Sequence, residues 1–111
     1  MNAITVPELA LWQRGGFAFN LLDVRRAAKR ASDADEIAGG QWRDPAAWLD
    51  WKDEVPKDRP AVVYCAHGHE ISQGLTAALR ALGVDARHLE GGIDAWRCAQ
   101  QATQPLTRSE P

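Results

Sequence analysis

Apolar residues along this chain occur either as short continuous runs or at helical spacing. Ala61-Val62-Val63-Tyr64 is a continuous, mostly β-branched or aromatic run, which predicts a short strand buried on both faces. Cys65 follows at once, then a compact polar loop with Gly68 in its middle, then an Ala/Leu-rich stretch. There Leu75, Ala78, Leu79 and Leu82 recur at core spacing, so a helix is expected from Glu70 or Ile71 to Leu82, ended by Gly83. A strand that ends in a cysteine and turns sharply into a helix aims the sulfur at that helix's unpaired N–H groups. Those groups and the helix dipole favour negative charge, whether a thiolate or a bound anion.

The same reading supplies the other elements. Thr5, Pro7 and Glu8 form a helix start, with Thr5 as N-cap and Glu8 as its reciprocal partner. Leu9, Leu11 and Trp12 are expected to face inward, and Gly15-Gly16 to end the helix. Phe19 to Arg25 reads as a second buried strand with Asp23 and Arg25 at its carboxyl end. Arg26 to Asp35 is charged and alanine-rich, hence solvated loop or irregular helix. Glu36 to Trp42 carries a very short strand closed by Gly39-Gly40. Asp44-Pro45 opens another helix whose apolar side is Trp48, Leu49 and Trp51. Ala86 to Leu89 is the last strand, Glu90-Gly91-Gly92 its turn, and Ile93 starts a final helix. Residues 1–102 then form one domain, and the Thr/Gln/Pro-containing residues 103–111 a flexible tail.

Strands alternating with helices imply βαβ units, hence an α/β fold with a mostly parallel sheet covered on both faces. Sites in such sheets lie beyond the carboxyl ends of the strands. Cys65, the Asp23/Arg25 pair and Glu90-Gly91-Gly92 all follow expected strands, so they gather at one edge. At 111 residues the chain is one domain, and its net charge of -2 gives no reason to invoke nucleic acid or an anionic membrane. No apolar run is long enough to span a bilayer, and the N-terminus lacks the pattern of a signal peptide. A cytoplasmic, reducing location is therefore expected, where Cys65 and Cys98 stay unpaired.

Four segments together resemble the rhodanese family of sulfurtransferases across nearly the whole chain. Leu22-Asp23-Val24-Arg25 resembles the family's early Leu-(Ile/Leu)-Asp-Val-Arg signature, and Ile37-Ala38-Gly39-Gly40 its Ile-Pro-Gly-Ala segment with two departures. Val62-Val63-Tyr64-Cys65 followed by Gly68 resembles the active-site strand and loop, and Leu89 to Trp96 the Leu-x-Gly-Gly-x-x-x-Trp element. The resemblance implies a three-layer fold around a five-stranded, mostly parallel sheet. It also implies a catalytic Cys65, a substrate-binding loop of Ala66, His67, Gly68, His69, Glu70 and Ile71, and no cofactor. Many sulfurtransferase members carry arginine five residues after the cysteine; here Glu70 stands there and is expected to repel thiosulfate. Phosphatase relatives carry arginine six residues after it; Ile71 stands there, so phosphate-ester cleavage is not expected.

Sulfur transfer needs a thiolate that attacks a donor's outer sulfur, holds it as a persulfide and yields it to a thiophilic acceptor. The loop N–H groups would hold that anion. Protonated His67 or His69 would add to the effect, although loop histidines without a role are equally common. A metal on Cys65, His67 and His69 is not expected, because alternating residues on a tight turn rarely converge and a fourth ligand is missing. Asp23 and Arg25 read as a structural ion pair bracing the loop. Glu70 reads as a first-turn acid favourable to its helix. Trp12, Trp48 and Trp96 read as core, Trp42 and Trp51 with Arg43 as the mouth of the site or a partner surface, and Cys98 as a bystander. Two functions remain: a sulfurtransferase using a small donor such as thiosulfate, or a carrier or sensing module loaded by a protein partner. The intact cysteine argues against a third, a silent interaction domain.

Overall fold

The computed structural model describes residues 2–106. Its strands are β1 (Ala3–Ile4), β2 (Asn20–Asp23), β3 (Asp35–Glu36), β4 (Gly40–Trp42), β5 (Ala61–Tyr64), β6 (Ala86–Leu89) and β7 (Gln104–Pro105). Its α-helices are α1 (Val6–Gly15), α2 (Ala27–Asp33), α3 (Trp48–Trp51), α4 (Glu70–Ala81) and α5 (Gly92–Cys98). Five strands form one parallel sheet in the order β1-β6-β5-β2-β4, while β3 and β7 pair antiparallel in a separate ladder.

Side-chain alternation along the central strands builds two cores. Leu21, Val62 and Tyr64 point to one face, where Leu9, Ile93 and Trp96 from α1 and α5 cover them. Leu22, Val63 and Cys65 point to the other, against Trp51 and Leu79 from α3 and α4. The sheet is therefore covered on both faces, and β5 is wholly buried, as its uninterrupted apolar run requires.

Several expectations change. The strand expected over Glu36 to Trp42 divides: Asp35–Glu36 joins β7, and the glycines open rather than close β4, with Gly39 at φ +86° turning the chain between them. Arg26 to Asp35 contains a regular helix, α2, with no buried residue; its Lys29–Asp33 pair at 3.1 Å replaces a packed face. Leu11 is exposed, because the Thr5/Glu8 capping box sets a phase that buries Val6, Leu9 and Ala10. Leu49 is 78 % exposed, because a single turn of helix lets Trp48 and Trp51, three apart, take the inward side. Gln104–Pro105, expected in the tail, is a strand held to β3 by the ladder and by Gln104 Nε2 donating to Glu36 at 3.0 Å. Residues 107–111 of that tail lie outside the described residues.

The β3–β7 corner is tied by ion pairs. Arg97 of α5 donates to both oxygens of Asp35, at 2.6 and 3.0 Å. The hydrogen-bonded Arg97 guanidinium holds the Asp35 carboxyl below the usual carboxylate range, against a smaller opposing push from burial. A carboxyl depressed in the folded state stabilises the fold above its unfolded pKa, and that contribution vanishes as pH falls through the depressed value. Urea unfolding should therefore show stability falling as pH drops below about 4, the ordinary aspartate value. Asp35→Asn should flatten this slope and cost about 1 kcal/mol at pH 7. An unchanged slope would show that Arg97 does not hold Asp35 in solution.

Candidate functional site

Cys65 follows β5 directly, and its main chain is fixed by backbone alone. Its carbonyl accepts the Ile93 N–H at 3.0 Å, and the Ala66 carbonyl accepts the Asp94 N–H at 3.0 Å, so the loop rests on the first turn of α5. This approach leaves no room for side chains. A Cβ on Gly92 would lie against the Cys65 carbonyl oxygen, and one on Gly68 would come 2.6 Å from the Gly91 nitrogen. Gly68, Gly91 and Gly92 also have φ of +74°, +75° and +62°, where L side chains are strained. The Gly91-Gly92 turn after β6 therefore shapes the loop after β5.

The loop passes into α4 at Glu70. Gln73 closes it by donating from Nε2 to the Gly68 carbonyl at 2.8 Å, while its N–H donates to the His69 carbonyl at 3.1 Å. The Cys65 Sγ lies 3.2 Å from the buried Ser72 hydroxyl on the first turn of α4, the thiol donating in its neutral form. A thiolate at Cys65 would instead accept from that hydroxyl, whose proton can rotate toward it.

A cavity of about 570 Å³ opens over the sulfur. Cys65, Ala66, His67, His69, Glu70 and Ile71 all line it, as their place after the central strand suggests. Cys65 is only 6 % exposed, so the cavity is its route to solvent. Gly68 is turned away, buried against the Gly91-Gly92 turn. The rest of the lining is cationic: Arg25, Arg26 and Lys29 come from the end of β2 and the start of α2. Lys29 shares its charge with Asp33, whereas no carboxylate among the described residues pairs with Arg26. His67 stands with Nδ1 3.7 Å from Asp94.

Asp23 does not line the cavity; it lies behind it. There it accepts from the Arg25 N–H, Nε and Nη2 at 3.1, 3.0 and 2.7 Å and from Arg30 Nε at 3.2 Å. Arg25 also donates to the Asp35 carbonyl at 2.7 Å and to Asp33 at 3.1 Å, and its guanidinium stands 5.6 Å from the Tyr64 ring centre. Burial pushes the Tyr64 phenol above its ordinary range, so it stays neutral and accepts the Ile37 N–H at 3.2 Å. Asp23 and Arg25 thus form a buried ion pair at the strand ends. Trp42 and Trp51 do not reach the mouth: Trp42 donates to the Arg25 carbonyl and Trp51 to that of Asp44. Cys98 is exposed at the end of α5.

Arg26, Lys29 and Ser72 were not singled out by the sequence reading. A signal existed for each. Arg26 and Lys29 are three apart, and Ser72 falls on the first turn of the helix that follows the cysteine. Among the described residues no three His, Cys, Asp or Glu side chains are grouped to hold a metal ion.

The glycine contact makes a direct prediction. Gly92→Ala combines a clash with backbone and a strained φ, so it should cost about 2 kcal/mol or more. It should also slow alkylation of Cys65 relative to Cys98, read by mass spectrometry of the two labelled peptides. Gly74→Ala, where a Cβ meets nothing within 4 Å, is the control.

Comparison with known proteins agrees with this geometry. The family model "Rhodanese-like domain" matches residues 5–99. A probable adenylyltransferase/sulfurtransferase, MoeZ, of Mycobacterium tuberculosis is 36 % identical over 98 residues, covering 86 % of this chain and 24 % of that protein. The chain thus spans about a quarter of the curated relatives it matches. A rhodanese-like domain protein of Staphylococcus aureus superposes with TM-score 0.77 at 27 % identity, covering 86 % of this chain and 91 % of that one. A rhodanese-related protein of Thermoplasma volcanium gives TM-score 0.80 at 23 % identity, with coverages of 93 % and 97 %. With its parallel sheet, its glycine-cradled cysteine loop and this match over most of its length, the chain belongs to the rhodanese-like domain family, to which named sulfurtransferases are homologous.

Proposed function

We propose that this domain is a sulfurtransferase that moves sulfane sulfur through a persulfide on Cys65. One observation carries the reading: a nearly buried cysteine at the start of a backbone-held loop, lining a cavity that three cationic side chains also line. The Cys65 thiolate attacks the outer sulfur of a donor such as thiosulfate. The S–S bond breaks, sulfite leaves with the electron pair, and Cys65–S–S⁻ remains. A thiophilic acceptor such as cyanide then attacks that outer sulfur, forming thiocyanate and returning the thiolate. No cofactor enters these steps.

The surrounding residues hold charge rather than perform chemistry. The loop backbone and the Ser72 hydroxyl stabilise the thiolate and the persulfide anion. Arg26 and Lys29 raise the local concentration of an anionic donor and offset the repulsion from Glu70. His67 and His69 offer further donors beside the loop. Asp23 and Arg25 keep the loop's foundation rigid. A protein sulfur donor is the second reading, supported by the 36 % identity to a much longer relative whose name joins sulfur transfer to adenylyl transfer.

Thiocyanate formation from thiosulfate and cyanide tests the proposal. Cys65→Ser should fall to the uncatalysed background, while Cys98→Ser keeps its rate. Arg26→Glu and Lys29→Glu should each raise KM for thiosulfate about 3- to 10-fold at low salt, with the gap narrowing as salt screens the cavity. A Cys65→Ser enzyme that still turns over would overturn the assignment. If the wild type is slow with thiosulfate but a cysteine desulfurase loads Cys65 rapidly, the protein-donor reading holds.

A further inference from the structure

We infer that the Cys65 cavity is built for a small zwitterionic persulfide, an α-amino-acid persulfide of the cysteine persulfide class. The inference rests on Cys65 as persulfide carrier and names the donor for that site. Its basis is the presence of opposite charges in the lining of the cavity that opens over the sulfur. Arg26 and Lys29 line it from the start of α2, and Glu70 lines it from the first turn of α4. No cation among the described residues pairs with Glu70, which lines the cavity, so its charge is free to meet an occupant.

A site built for an inorganic dianion would gain from cations throughout its lining, and Glu70 only opposes a dianion. The same carboxylate favours an ammonium group, with which it forms a charge-assisted hydrogen bond. The Arg26 guanidinium presents the forked donor pair that a carboxylate accepts in bidentate fashion. In an α-amino-acid persulfide, ammonium and carboxylate share one carbon, and a single methylene separates that carbon from the sulfur. All three groups thus fall within one small cavity. The volume of about 570 Å³ far exceeds what thiosulfate needs and lies in the range of small-molecule sites, roughly 300–1,000 Å³. Ala66 keeps the wall beside the sulfur short. Glu70 thereby discriminates as well as binds, since it taxes a competing dianion.

The chemistry balances without an added oxidant. The Cys65 thiolate attacks the outer sulfur of R–S–SH. The S–S bond breaks, and the leaving R–S⁻ takes up the proton that the outer sulfur gives up. The products are R–SH and Cys65–S–S⁻.

The test measures Cys65 loading by rapid quench and intact mass, using four probes: cysteine persulfide, N-acetylcysteine persulfide (no ammonium), cysteamine persulfide (no carboxylate) and thiosulfate. Each organic rate is divided by that of the same probe with a free small thiol, which removes intrinsic reactivity. In the wild type, cysteine persulfide should exceed both single-charge probes by about tenfold, the worth of one charged hydrogen bond. Glu70→Gln should erase the preference over the N-acetyl probe and speed loading from thiosulfate. Arg26→Ala should erase the preference over cysteamine persulfide. Equal normalised rates in the wild type would overturn the inference, and so would preferences that survive both substitutions. If no probe adds sulfur to Cys65, this inference is overturned, and the persulfide reading fails with it only when a cysteine desulfurase also leaves Cys65 unloaded.

Discussion

The site depends on one contact, the seating of the Cys65–Ala66 main chain on the first turn of α5. Two backbone hydrogen bonds, Ile93 to Cys65 and Asp94 to Ala66, make it. They form only because Gly92 leaves the space a Cβ would fill and adopts a φ that other residues resist. Gly68 answers from the loop side, packed against the Gly91 nitrogen. Two segments 20 residues or more apart in sequence thereby fix one another, and neither needs a functional side chain to do so. The side chains that touch the cavity are thus left to differ in charge without loosening the cysteine.

Behind this contact lies a buried polar network that spans β2, α2 and β3. Asp23 and Arg25 are each 1 % exposed, and their charges are matched by Arg30, Asp33 and the Asp35 carbonyl. A buried pair adds little net stability against an apolar replacement, but losing one partner strands the other's charge. Its value here is geometric. Arg25 is pulled inward yet still lines the cavity, and the next residue and the one three further on, Arg26 and Lys29, add their charges to the same lining. Positive charge thus enters the cavity lining from the β2 end, while the loop itself contributes Glu70.

Much of this was legible in the chain. The uninterrupted run before Cys65, the Thr5/Glu8 capping box and the Gly91-Gly92 turn each rest on local rules that the tertiary structure obeys. The parallel sheet and the gathering of Cys65 with its loop at one edge followed from those. What was not legible depended on distant partners. β1 and β7 are two residues long and exist through β6 and β3, so they leave no periodic trace. The inward face of α1 turns on helical phase, which places Leu11 outside and Ala10 inside. Arg26 and Lys29 have the pattern of ordinary surface charge, and only the tertiary structure brings them into one cavity lining with the loop. Trp42 was drawn inward by the Arg25 carbonyl, a partner that spacing does not reveal.

The most direct measurement of the central claim is the intact mass of the protein after brief exposure to a sulfane-sulfur donor, for the wild type, Cys65→Ser and Cys98→Ser. The account predicts the mass of one added sulfur atom in the wild type and in Cys98→Ser, its absence in Cys65→Ser, and its removal by cyanide. Sulfur carried by Cys65→Ser, or an adduct that cyanide does not remove, would contradict it.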